Sequence, residues 1–88
     1  MSIKKFYFTR DFKKDLNKFS AKDKKLVKKR LEIFLSDPFS TTLKTHKLSG
    51  KLDGYFSFSI TCHYRVLFRF EDKETVEFID IGTHDIYK

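Results

Sequence analysis

Apolar and polar residues alternate with period two in four stretches of the chain, and with helical spacing in two others. From Tyr55 to Ile60, Phe56, Phe58 and Ile60 alternate with Tyr55, Ser57 and Ser59. From Tyr64 to Phe70, Tyr64, Val66, Phe68 and Phe70 alternate with Arg65, Leu67 and Arg69. Such alternation predicts strands with one buried face, and the spacer Thr61-Cys62-His63 is short enough for a hairpin. Ile3 to Phe8 reads as an earlier strand, with Phe6 and Phe8 on one side. Val76 to Ile81 reads as a last one, and its apolar residues of both parities predict an interior strand buried on both faces.

Between the first strand and the hairpin the period changes. Phe12, Leu16 and Phe19 form one apolar stripe behind Thr9, a capping residue, with Asp11 in the first turn. Ser20-Ala-Lys-Asp23 has the spacing of a capping box and opens a second helix, with Leu26, Val27, Leu31, Phe34 and Leu35 on its apolar side. Pro38 ends it. Almost no linker separates the helices, which predicts a helical hairpin. Phe39 to Leu48 reads as irregular, and Glu71 to Glu74 as a turn. The order is β-α-α-β-β-β: a single α+β domain over residues 1–88, its N-terminal helical hairpin packed on a mainly antiparallel, twisted sheet.

Composition adds a charge field. The net charge is +7 over 88 residues. Residues 1–51 hold 15 Lys/Arg against 5 Asp/Glu, whereas residues 52–88 hold 4 against 7. Such a field attracts polyanions or an acidic protein partner. Lys22, Lys25, Lys28 and Lys29 form a basic helix face that would suit RNA phosphates or serve solubility. Eleven Phe and no Trp point to an aromatic core. The single Cys62 excludes an internal disulfide and has no metal-ligand spacing around it, so a reduced cytoplasmic setting is expected. No apolar run is long enough to span a membrane.

The candidate chemistry gathers around the hairpin. Cleavage of RNA through its 2′-OH needs a base, a cation for the charged phosphorane, and an acid for the leaving oxygen. Histidine suits both proton roles and arginine suits the phosphate. His46 precedes the first strand of the hairpin, Arg65 opens the second, and His84 follows the last strand. The sheet face opposite the Phe residues is expected to display Ser57, Ser59, Arg65 and Arg69. His63, in the hairpin turn, is expected to be structural.

The runs His46-Lys-Leu-Ser-Gly50, Gly54-Tyr55-Phe-Ser-Phe-Ser-Ile60, Tyr64-Arg65-Val-Leu-Phe68 and Gly82-Thr83-His84-Asp-Ile-Tyr87 resemble the RelE/ParE superfamily of bacterial toxins. Within it the chain is most similar to the YoeB, YafQ and RelE mRNA interferases. The resemblance implies a RelE-like fold and a toxin of a type II toxin–antitoxin system: a ribosome-dependent, metal-independent endoribonuclease that needs no cofactor. It implies a cognate antitoxin as partner, in a hetero-oligomer, and mRNA on the ribosome as substrate. By position, His46 is the general base, Arg65 the phosphate clamp, His84 the general acid and Tyr87 a base-stacking aromatic. Ser57, Ser59, Arg69 and Lys47 are further substrate-binding candidates. The chain also departs from those toxins. Where they place cations on the first hairpin strand, it has Phe56, Ser57, Phe58 and Ser59, and Asp80-Ile81 stands where an Arg precedes Gly-Thr-His. Two alternatives follow: a weak or inactive antitoxin-binding module on the same fold, and a ParE-like gyrase inhibitor.

Overall fold

A computed structural model describes residues 2–83 and 86 of the chain. Strand β1 spans Lys5–Phe8, helix α1 Arg10–Leu16 and helix α2 Ala21–Ser36. Strands β2 (His46–Lys47), β3 (Phe56–Ser59), β4 (Arg65–Asp72) and β5 (Thr75–Gly82) follow. They form one sheet in the order β1-β5-β4-β3-β2. Only β1 and β5 pair in parallel; the other three pairings are antiparallel. The predicted α+β architecture therefore holds, with one strand more than expected. The segment read as irregular contributes β2, whose two residues pair with Ser57 and Phe56.

Local chemistry starts and stops the helices where the sequence signals lie. The Thr9 side chain accepts a hydrogen bond from the Phe12 N–H and donates to the Ile79 carbonyl at 2.6 Å. One hydroxyl thus caps α1 and ties it to β5. Ser20 caps α2 by accepting from the Asp23 N–H. Asp37 adopts extended backbone before Pro38, which ends the helix.

The core lies between the helices and one face of the sheet. Phe34 of α2 is fully buried and sits at its centre. Its ring stacks on Phe58 at 4.7 Å and meets Phe68 and Phe78 edge-on at 4.7 and 5.4 Å. Phe12 of α1 extends the cluster through Phe8 and Phe78. Aromatic pairs of this kind add about 0.5–1.5 kcal/mol each beyond the area they bury.

The mixed parity of β5 has a different cause from the one expected. Phe78 pairs with Phe68 and Ile81 with Val66, and all four belong to the core. An irregularity in the ladder inserts one extra residue between those pairs, so that Ile79 and Asp80 together oppose Leu67. Phe78 and Ile81 thereby reach the same face despite their odd spacing.

Candidate functional site

The face away from the helices holds the candidate residues, and strand register sets their order. Phe58 and Val66 enter the core, so their neighbours Ser57, Ser59, Arg65 and Leu67 take the other face. His46 pairs with Ser57 and Ser57 with Leu67, while Ser59 pairs with Arg65 and Arg65 with Gly82. Directly paired residues share a face. His46 and Arg65 therefore lie on one face, two strands apart laterally and one two-residue step apart along the strands. Their Cα atoms are then roughly 12 Å apart from standard strand spacings, which leaves room for a ribose–phosphate link between the two side chains.

His46 is exposed, at the end of a loop pinned by the Thr45 hydroxyl, which donates to the Pro38 carbonyl. Lys44, just before it, has left-handed backbone with φ of 53° and turns the chain into β2. The Nδ1 atom of His46 lies 3.0 Å from the Lys44 carbonyl oxygen. A carbonyl can only accept, so Nδ1 carries the hydrogen. In the neutral ring that leaves the lone pair on Nε2, the tautomer a general base requires.

Arg65 is half-buried, and its Nε is buried without a hydrogen-bond partner. Among the described residues, the β5 carboxylates Glu77 and Asp80 are engaged elsewhere. Glu77 accepts from Arg69 Nε at 2.8 Å, and Asp80 turns to Asp15. Among the described residues no ion pair involves Arg65. Beside it, β5 ends at Gly82, and a Cβ built there would stand 2.8 Å from Ile86 Cγ2. The Ile86 N–H donates to the Thr83 carbonyl. Thr83 and Ile86, the described residues on either side of position 84, thus both lie close to the Gly82–Arg65 pair. His84 and Tyr87 fall outside the described residues.

Two expected contributors are placed differently, and a third is on the expected face but paired. Ser57 is 0% exposed and therefore is not displayed, because it sits on an interior strand between His46 and the buried Leu67. Arg69 is on the expected face but is held by Glu77, with Glu71 at 3.7 Å, so its charge is largely spent within the sheet. Lys47 pairs with Phe56 and thus takes the face opposite to His46. Ser59 remains beside Arg65 and is half-buried.

The pattern of residues gave no sign of a carboxyl pair at the edge of this region. Asp80 of β5 and Asp15 of α1 hydrogen-bond to each other in a cleft of about 380 Å³ that also includes Tyr64, Gly82 and Thr83. Burial, then the Asp15 contact, pushes the Asp80 carboxyl up to about 6. The same hydrogen bond, with help from Lys18, holds Asp15 below the usual carboxylate range. Two carboxyls sharing one proton behave this way. Among the described residues no three His, Cys, Asp or Glu side chains are grouped to hold a metal ion. No helix among them is long and apolar enough to cross a membrane.

Known proteins can be set beside this geometry. Residues 4–87 match the family described as the bacterial toxin of type II toxin-antitoxin system, YafQ. No curated protein matches the sequence. The YoeB/ParE toxin from Agrobacterium tumefaciens superposes with a TM-score of 0.79 at 22% identity, over 92% of this chain and 99% of that one. YafQ in the E. coli DinJ-YafQ toxin-antitoxin complex gives 0.76 at 16% identity, over 98% and 97%. The archaeal RelE-RelB complex from Pyrococcus horikoshii gives 0.74 at 14%, over 94% and 96%. These structures share the fold, and the family match runs through the sheet, the loop bearing His46 and the C-terminal segment alike. The chain therefore belongs to the YafQ family of type II toxins, on the RelE/ParE fold.

Proposed function

We propose that this chain is a ribosome-dependent mRNA endoribonuclease whose toxicity is held in check by a cognate antitoxin in the cytoplasm. His46 takes the 2′-OH proton through Nε2. Arg65 grips the scissile phosphate and stabilises charge as the phosphorane forms. His84 protonates the departing 5′-oxygen, and Tyr87 stacks on a neighbouring base. Each proton-transfer group supplies roughly 10²–10⁴ in rate. All three roles fall to side chains, so the reading assigns no step to a metal.

The observation that carries this reading is the state of Arg65. Its guanidinium has no carboxylate partner among the described residues, and its Nε lacks any hydrogen bond. Leaving a buried donor unsatisfied costs about 1–3 kcal/mol. That cost falls on the Nε and marks a guanidinium not placed for the fold's own pairing; its charge, in no ion pair among the described residues, is left for a phosphate at the terminal nitrogens, and the His46 ring on the same face has its free nitrogen available for the adjoining ribose. Antitoxin binding is supported by the family and by the folds shared with toxins seen in complexes with DinJ and RelB.

A second reading, an antitoxin-binding module with little catalysis, is favoured by the burial of Ser57 and the pairing of Arg69. Growth arrest on expression decides between them. The nuclease reading expects the native chain to stop growth and Arg65→Ala, His46→Ala and His84→Ala to relieve the arrest while remaining folded. Full toxicity in all three variants would remove the site. No toxicity in the native chain, with tight antitoxin binding, would favour the module.

A further inference from the structure

A pocket of about 170 Å³ lies beside the end of β3, and its walls include Arg30, Thr42, Lys44, Ser59, Thr61 and Cys62. It combines two cations with three hydroxyls and contains no carboxylate. Arg30 and Thr61 are held by hydrogen bonds. The Arg30 guanidinium donates through one terminal nitrogen to the Thr42 carbonyl at 3.0 Å, leaving the rest of its fork for an acceptor. Lys44 follows a 3-10 turn, Thr41–Leu43, with left-handed backbone, and its side chain is exposed. The Thr61 hydroxyl accepts from the N–H groups of His63 and Tyr64, both at 3.1 Å, and keeps its own hydrogen to donate. Among the described residues neither Arg30 nor Lys44 is in an ion pair.

The pocket's position matters as much as its chemistry. Ser59 is both a wall of the pocket and the register partner of Arg65. Lys44 is both a wall and the residue whose carbonyl orients His46. Through Ser59 and Lys44 the pocket meets the β3 edge of the candidate site, one strand from Arg65, while Ile60 and Arg30 set its inner wall toward the helix side of the sheet. A water occupies about 30 Å³ of liquid, so the pocket has space for a phosphate group with some of its hydration.

We propose that this pocket is a phosphate subsite that holds the RNA backbone phosphate next to the one gripped by Arg65. It supplies, from α2 and the loop before β2, the positive charge that β3 does not carry. The ligand is a nucleotide phosphate recognised by charge and hydroxyl donors. Its contribution is positioning, without base preference. The assignment rests on the nuclease reading.

The test has two arms. In the first, inorganic phosphate is titrated into the isotope-labelled protein and amide shifts are followed by NMR. Shifts concentrated at 42–44 and 59–62, and abolished by Lys44→Gln, are expected. Absence of shifts there overturns the subsite. In the second, cleavage of ribosome-bound message is measured for the native chain, Arg30→Gln, Lys44→Gln and the turn variant Lys73→Gln. We expect Arg30→Gln and Lys44→Gln each to raise KM about tenfold with little change in kcat, and Lys73→Gln to match the native chain. Native kinetics in both pocket variants would remove the RNA assignment while leaving the nuclease reading intact. A native chain that cleaves nothing would remove both. Because Arg30 also tethers Thr42, Lys44→Gln is the deciding variant, and the unfolding temperatures of both variants are compared with the native chain.

Discussion

An arginine whose Nε is shielded from water without a partner is a stability cost retained in the fold. If Arg65 is kept for its phosphate, replacing it with an apolar side chain of similar length should help the fold and end the function. Arg65→Met is expected to raise the unfolding free energy by about 1 kcal/mol, read by urea denaturation, while abolishing cleavage. A loss of stability instead would mean that the guanidinium has a structural role. At His46 the relevant bond is to a backbone carbonyl, so the tautomer depends on the turn at Lys44 and not on a second side chain. That could not be read from the sequence, where Lys44 is one lysine among many. The placement of Ser57 was equally hidden. Period-two alternation puts it on the right face, but its burial depends on the neighbours that β2 and β4 bring to either side.

Elements were legible where the signal is local. The caps at Thr9 and Ser20, and the stop at Pro38, depend on residues within one turn, and they stand where the spacing puts them. Thr9→Ala should cost about 1–2 kcal/mol in thermal unfolding, because the hydroxyl serves both α1 and β5; Thr9→Ser should recover much of it. Phe34→Ala removes the ring that α2 inserts between three sheet phenylalanines and should cost about 3–5 kcal/mol. In so small a domain that is enough to unfold much of the population. Elements without a local signal were missed. Thr45-His46-Lys47 has no apolar alternation, and β2 exists only through its pairing with Phe56 and Ser57 of β3. The ladder irregularity in β5 mimics two-sided burial in any one-dimensional reading.

The carboxyl pair links α1 to β5 and carries a pH signature. Asp80 has its proton affinity raised, so the native state binds this proton more tightly than the unfolded chain does. Its contribution to stability is full below the ordinary carboxylate range and is lost as pH rises through about 6. Asp15 is shifted the other way, and its contribution is lost only as pH falls below the usual carboxylate range. Asp80→Asn keeps a hydrogen bond to Asp15 but cannot ionise. It should therefore stabilise the protein at pH 7.5, on the order of 1 kcal/mol after allowance for solvent screening, and by about half as much at pH 5. Denaturation midpoints at the two pH values measure this. An equal effect at both would mean that the two carboxyls do not share a proton in the folded chain.

Over the whole molecule, charge and topology divide the work. The N-terminal half carries most of the positive charge, and the exposed lysines of α2 form a face that suits a polyanion. The C-terminal half builds the interior of the sheet and uses its acids internally, on Arg69 and between Asp80 and Asp15. That division was visible as a charge imbalance, but the pairings behind it join residues 8 and 65 positions apart and needed the register to be seen. The proposed reaction is 2′-OH chemistry at a message held in the ribosome. The most direct measurement is primer extension on a ribosome-bound mRNA, compared with the same message carrying one 2′-deoxy nucleotide at the cut position. The account predicts a single strong stop on the all-ribose message, its loss on the substituted one, and its loss with Arg65→Met. Cleavage that persists at the deoxy position, or no cleavage of the ribose message at all, would contradict it.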